Sequence, residues 1–136
     1  MARRIAHQIQ SSLQLVRLPA ASSTVEWVPN TDVYENEGSF VVRIDLAGVN
    51  RKDFQISMSE RTLIVRGRRR DPCRTGRCHF RQMEIDYGVF ERRFVVPHTV
   101  DGRNIKAALV NGFLTIELPK LTRTEQPPLK ISIQSD

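Results

Sequence analysis

An all-β fold, an immunoglobulin-like antiparallel β-sandwich, is what this sequence predicts, and three observations carry the prediction. Apolar residues recur at every second position in run after run between residues 26 and 120. Turn-forming stretches such as NEGS (36–39), AGVN (47–50) and VNG (110–112) punctuate those runs. No long helical pattern interrupts them, which argues against alternating strand and helix and for two packed antiparallel sheets.

The runs follow in order. In FVVRIDL, Phe40, Val42, Ile44 and Leu46 share one face, and Arg43 and Asp45 share the other. In DFQISM, Phe54, Ile56 and Met58 share a face. TLIVRG (62–67) and VFERRFVVP (89–97) are further β-branched runs. NIKAAL alternates through Ile105, Ala107 and Leu109, and FLTIEL aligns Leu114, Ile116 and Leu118. Between these last two runs, Asn111-Gly112 signals a tight hairpin turn, with Gly112 free to take positive φ. Pro119 ends the final run by removing a backbone donor.

The chain divides into an N-terminal arm (1–25), the sandwich domain (26–120) and a C-terminal tail (121–136). In the arm, Ile5, Ile9, Leu13 and Val16 stand near helical spacing before the small-residue linker PAASST. It reads either as a frayed terminus or as an apolar segment meeting other subunits or clients. The tail opens with the polar, proline-broken LTRTEQPP and then carries LKISI, whose Ile131 and Ile133 project to one side of an extended chain. An isolated strand is unstable in water. Spacing alone leaves two outcomes open: LKISI folds back as an edge strand of its own domain, or it docks elsewhere.

Composition narrows the function classes. Hydrophobic content of 40% with 26% charged residues is globular rather than disordered. No apolar run approaches a membrane span and no signal-peptide core is visible, so the expected location is the cytoplasm, without membrane partners. The net charge of +6 allows contact with acidic partners. Its sharpest expression is RGRRRDPCRTGRCHFRQMEIDYG, where seven arginines lie between Arg66 and Arg81 and Asp71 is the only acid among them. With Phe80 the one aromatic interleaved there, a nucleic-acid patch is the weaker reading and a solvated basic connection the stronger. HFRQMEIDYG also has room for one more short strand.

In the same segment, Cys73, Cys78 and His79 are three soft ligands without a second ligand pair. Two free thiols in a reducing compartment are expected there rather than a zinc site, with a redox-sensing disulfide as the alternative. No glycine-rich phosphate loop or nucleophile elbow occurs, and His7, His79 and His98 have no identifiable catalytic partner. No enzyme activity, catalytic residue, metal or cofactor is expected.

Arg92 stands out because the face that holds Phe90, Phe94 and Val96 holds it too. An arginine among inward-facing apolar residues is costly unless a carboxylate meets it, and Glu84 and Asp86 are the candidates. A bulge that shifts strand parity would instead leave it solvated.

Together these stretches resemble the small heat-shock protein (α-crystallin) family, in its bacterial and plant form. WVPNTDVYENEGSFVVRIDLAGVNRKDFQISMSERTLIVRGRR resembles the family's first half, and YGVFERRFVVPHTVD the strand after its dimer loop. AALVNGFLTIELPK matches the signature built on Ala108, Gly112 and Leu114, and ISI at 131–133 is similar to the family's C-terminal isoleucine-x-isoleucine motif. Ala47 stands where the family usually has proline.

The resemblance implies an ATP-independent holdase chaperone that keeps unfolding clients from aggregating and works as a dynamic homo-oligomer of dimers. It implies that Ile131 and Ile133 dock on a neighbouring subunit, in a groove whose candidate residues are Phe54, Ile56, Met58, Ile105, Ala107 and Leu109. Alternation alone leaves these six equally able to fill the core. It implies a dimer interface at Arg92, Phe80, Met83 and Glu84, with the arginine-rich connection carrying a strand to the partner. Two rivals remain at this level: a monomeric co-chaperone sandwich, and a basic nucleic-acid-binding module.

Overall fold

The structure, a computed structural model, describes residues 24–73, 76–122 and 131–135. The arm falls almost wholly outside the described residues, as do Leu129 and the proline-broken stretch of the tail. Among the described residues seven strands form: β1 (Thr31–Glu35), β2 (Ser39–Asp45), β3 (Phe54–Ser59), β4 (Thr62–Arg69), β5 (Gly88–Val95), β6 (Lys106–Val110) and β7 (Phe113–Pro119). They make a four-stranded sheet in the order β1-β2-β7-β6 and a three-stranded sheet in the order β3-β4-β5, with every neighbouring pair antiparallel. Among the described residues no helix is long and apolar enough to cross a membrane.

The alternation read from the sequence becomes the core between the sheets. Phe40, Val42, Ile44 and Leu46 bury against Leu114, Ile116 and Leu118 in one sheet and Leu63, Val65, Phe90 and Phe94 in the other. Trp27 packs edge-to-face on Phe90 at 5.3 Å, and its indole N–H donates to the Gly88 carbonyl. β1 is the strand that alternation misses. Only Val33 of its five residues packs against the core, so there is no inward series to read.

Two turns differ in how legible they are. Asn111 and Gly112 both take positive φ, 53° and 81°, as a two-residue hairpin turn requires. A Cβ on Gly112 would lie 3.1 Å from the Ala47 Cα, and the Gly112 carbonyl accepts from Leu46 N–H. Thus the glycine also lets one turn of the four-stranded sheet sit on another. The β3–β4 turn has no glycine or asparagine, yet Glu60 and Arg61 hold φ of 45° and 65°. Arg61 is anchored from outside the turn: its Nε donates to the Val96 carbonyl at 3.1 Å, a second guanidinium nitrogen to Pro97, and its carbonyl accepts from Val96 N–H.

One expectation about the long connection is corrected, that of free thiols, and the strand expected to pair with a partner subunit would belong to the assembly rather than to the single chain. Between residues 70 and 87 the described residues contain no strand, although the sequence has room for one. Residues 79–87 pair with neither sheet of this chain, where the edge of β5 already meets residues 26 and 27 through Glu26 N–H and the Trp27–Phe90 bridge. Nor are Cys73 and Cys78 free thiols: their sulfurs are bonded, with Cα atoms 6.0 Å apart, inside the ordinary disulfide span. The Asp71 carboxylate accepts from Cys73 N–H just ahead of the bond.

Candidate docking site between the sheet edges

β3 and β6 are edge strands of different sheets, and the sandwich stays open between them. A groove of about 470 Å³ lies there, lined by Arg51, Phe54, Gln55 and Ile56 from one side and Ala107, Ala108, Leu109 and Leu114 from the other. Its floor is the core itself, because Phe54 and Leu114 are buried while Ile56 and Leu109 are only partly covered. Small residues keep it open: Ala107 and Ala108 rise no higher than a methyl group along β6. At the mouth, the Arg51 guanidinium sits 5.4 Å from the Phe54 ring centroid. Such a surface suits an extended apolar segment, since unpaired strand edges offer backbone groups and the floor offers apolar contact.

Of the six groove candidates, Phe54, Ile56, Ala107 and Leu109 line it together. Met58 lies beyond them toward the far end of β3, 41% exposed. Ile105 precedes β6 and packs against the core. Alternation passed over Arg51 and Gln55, because polar side chains give no apolar signal, and Ala108, because it falls between the alternating positions Ala107 and Leu109. The tail isoleucines are not in this chain's groove: Ile131 and Ile133 are 84% and 91% exposed, and residues 131–135 form no strand.

The dimer candidates lie at the other edge of the three-stranded sheet. Strand parity puts Arg92 on the inward face with Phe90 and Phe94, opposite Val65; it is half-buried, its guanidinium 5.5 Å from the Phe94 ring. Phe80 and Met83 are 49% and 66% exposed on the β4–β5 connection, and Glu84 accepts from the Gln82 amide at 2.7 Å. The Asp86 carbonyl is taken by Arg69, whose Nε donates to it at 2.8 Å while another guanidinium nitrogen reaches Ala47 O. Arg69 also stacks 4.0 Å from the Trp27 ring, so it closes the neck of that connection.

Sequence reasoning missed Glu91. It lies on the outward face of β5, yet its side chain is 4% exposed, because Arg66 and Arg93 meet it at 3.3 and 3.2 Å. Only the β4–β5 register, which sets Arg66 opposite Glu91, reveals that triad. Arg70 pairs with Asp53 through two hydrogen bonds of 3.2 and 3.0 Å. The Arg70 hydrogen bond holds the Asp53 carboxyl below the usual carboxylate range. Arg66, Arg69 and Arg70 are therefore all engaged within the domain, which thins the basic surface that the arginine run suggested. No cluster of three or more potential metal ligands occurs among the described residues.

A two-sheet antiparallel sandwich with an apolar groove open between its edge strands places the chain among the α-crystallin-type β-domains. The chain belongs to the Hsp20/alpha crystallin family, whose pattern matches residues 32–134; proteins of this family are generally chaperones. It is 36% identical over 109 residues to the spore protein SP21 of Stigmatella aurantiaca, a match spanning 80% of this chain and 63% of that protein. It is similar to a small heat-shock protein of Xylella fastidiosa described as having a distinct high order structure (32% identity, TM-score 0.69, 82% of this chain and 100% of that one). A third likeness is to hspA from Xanthomonas axonopodis (36% identity, TM-score 0.65, 71% of this chain and 96% of that one).

Proposed function

We infer that this protein is an ATP-independent holdase, acting as a dynamic homo-oligomer of dimers that captures partly unfolded proteins. The observation that carries the reading is the pairing of an open groove between β3 and β6 with two tail isoleucines that stand 84% and 91% exposed in the same chain. Ile131 and Ile133 of one copy fill the groove of another, against Phe54, Ile56, Ala107 and Leu109. Burying both side chains contributes roughly 3–6 kcal/mol before costs. Ordering the tail and losing translational freedom consume much of that. One link is weak and reversible, and many links in one assembly hold by avidity. Thermal release of tails uncovers the grooves, and clients with exposed apolar segments compete for them. The chemistry needs no catalytic residue, nucleotide or metal. The reading places the protein in the cytoplasm, where such clients arise.

The test is light scattering of the intact chain beside Ile131→Ala/Ile133→Ala, with a client-aggregation assay on both. The expected result is collapse of the variant to dimers with altered protection of the client. An unchanged oligomer would move the link to residues 1–25, and a monomeric wild type would favour the co-chaperone rival.

A further inference from the structure

The disulfide lies in the segment that, in the dimer implied by the family resemblance, reaches a second subunit. We propose that Cys73 and Cys78 form a reversible disulfide that sets the reach of the β4–β5 connection, so that oxidation by a hydroperoxide loosens the dimer and reduction by a dithiol restores it. This rests on the dimer reading just given.

Geometry supplies the lever. Arg69 binds the Asp86 carbonyl, so the connection leaves and returns at one point, and its reach depends on the residues between. With the sulfurs bonded, the Cα atoms of Cys73 and Cys78 are 6.0 Å apart. Five extended residue steps would span roughly 17 Å. Opening the ring therefore adds about 10 Å to the limb that carries Phe80, Met83 and Ile85. Those side chains are 49%, 66% and 64% exposed when the ring is closed, an apolar set without a partner surface on its own domain. The closed form is thus retracted, and the open form extends toward a second copy.

The bond is also placed to turn over. Both cysteines are half-buried at a turn outside the core, and neither belongs to the core cluster. Arg77 and Arg81 stand exposed nearby, and cationic surroundings favour the thiolate that performs such exchange. One thiolate attacks the peroxide, an S–O bond forms, the O–O bond breaks and hydroxide leaves. The second thiol attacks the resulting sulfenic sulfur, the S–S bond forms and water leaves. In sum, two thiols and one hydrogen peroxide give one disulfide and two waters, the sulfurs losing the two electrons that the peroxide gains. A dithiol reverses the step by exchange through a mixed disulfide.

The experiment treats the full chain with hydrogen peroxide or dithiothreitol and reads two quantities. Intact mass and non-reducing peptide mapping report the bond, and sedimentation velocity across a dilution series reports dimer dissociation. Expected are an intramolecular Cys73–Cys78 link, removed by dithiothreitol, and dimer dissociation about fivefold or more weaker-binding in the oxidised form. Cys73→Ser/Cys78→Ser should hold the dimer like reduced wild type and ignore peroxide; because it retains Met83, it separates the bond from methionine oxidation. Free thiols after peroxide, links only between chains, or equal dissociation in both forms would overturn the proposal. A reduced wild type that never dimerises would sink the assembly reading with it, whereas a reduced dimer untouched by a confirmed internal link would sink the coupling alone.

Discussion

Single atoms decide several positions. Gly67 faces Phe54 across the β3–β4 ladder, and a Cβ there would lie 2.5 Å from both the Asp53 carbonyl and the Phe54 Cβ. Neither neighbour is the free end of a flexible side chain, so Gly67→Ala must push β3 away from β4. The expected cost is about 1–3 kcal/mol, read as a shifted urea midpoint with an unchanged slope. Glu91 is decided by charge rather than by volume. Glu91→Gln leaves Arg66 and Arg93 facing each other over a covered position. With Arg66 39% and Arg93 21% exposed, solvent screens part of the repulsion. A loss of about 1–2 kcal/mol is expected by the same titration, and Arg66→Gln in the Glu91→Gln background should cost less than it does alone.

Turns and short helical segments carry the next set of effects. The β3–β4 turn holds Glu60 in the left-handed region without a glycine, a conformation that asparagine adopts more readily. Glu60→Asn should raise stability by roughly 0.5–1 kcal/mol, seen as a higher melting temperature. An unchanged or lower value would show that the Arg61 anchors already dictate this turn. At the 3-10 turn Gly102–Asn104, the Asn104 amide and then the Arg103 backbone N–H hold the Asp101 carboxyl below the ordinary carboxylate range. The folded state therefore binds its proton less readily than the unfolded chain. The stability that results is present at neutral pH and is lost as pH falls below about 4. Asp53, depressed by the hydrogen bond from Arg70, acts in the same direction. Asp101→Asn should melt below wild type at pH 7, and the gap should narrow toward pH 3 in calorimetry.

The whole molecule is organised by its open edges. If tail and groove meet, changes at either must act as one unit. Ala107→Trp fills the groove from an exposed position, so the domain should stay folded by circular dichroism while light scattering shows dimers. Combined with Ile131→Ala/Ile133→Ala, it should add nothing further, because the same link is already lost. Arg92→Ala should instead disturb the dimer and leave the assembly enlarged or less stable; unchanged mass and melting temperature would remove Arg92 from that role.

The sequence by itself determined the sandwich. Alternation at Phe40–Leu46 and Leu114–Leu118 marks which side chains enter the core between the sheets, because successive side chains of a strand point to opposite faces. It also marked Asn111-Gly112 as a turn, since positive φ is cheap there. Four of the eight groove-lining residues were legible among the six candidates, but not their arrangement, because core and groove residues share one alternation. Only the tertiary structure could set β3 beside β6, leave the sandwich open there, and expose Ile56 partly while burying Phe54. Only cross-strand register could put Glu91 between two arginines, and only the long-range anchors of Arg61 could bend a turn that lacks turn residues. The Cys73–Cys78 bond belongs with these: spacing allowed it, and the fold of the connection brought the sulfurs together.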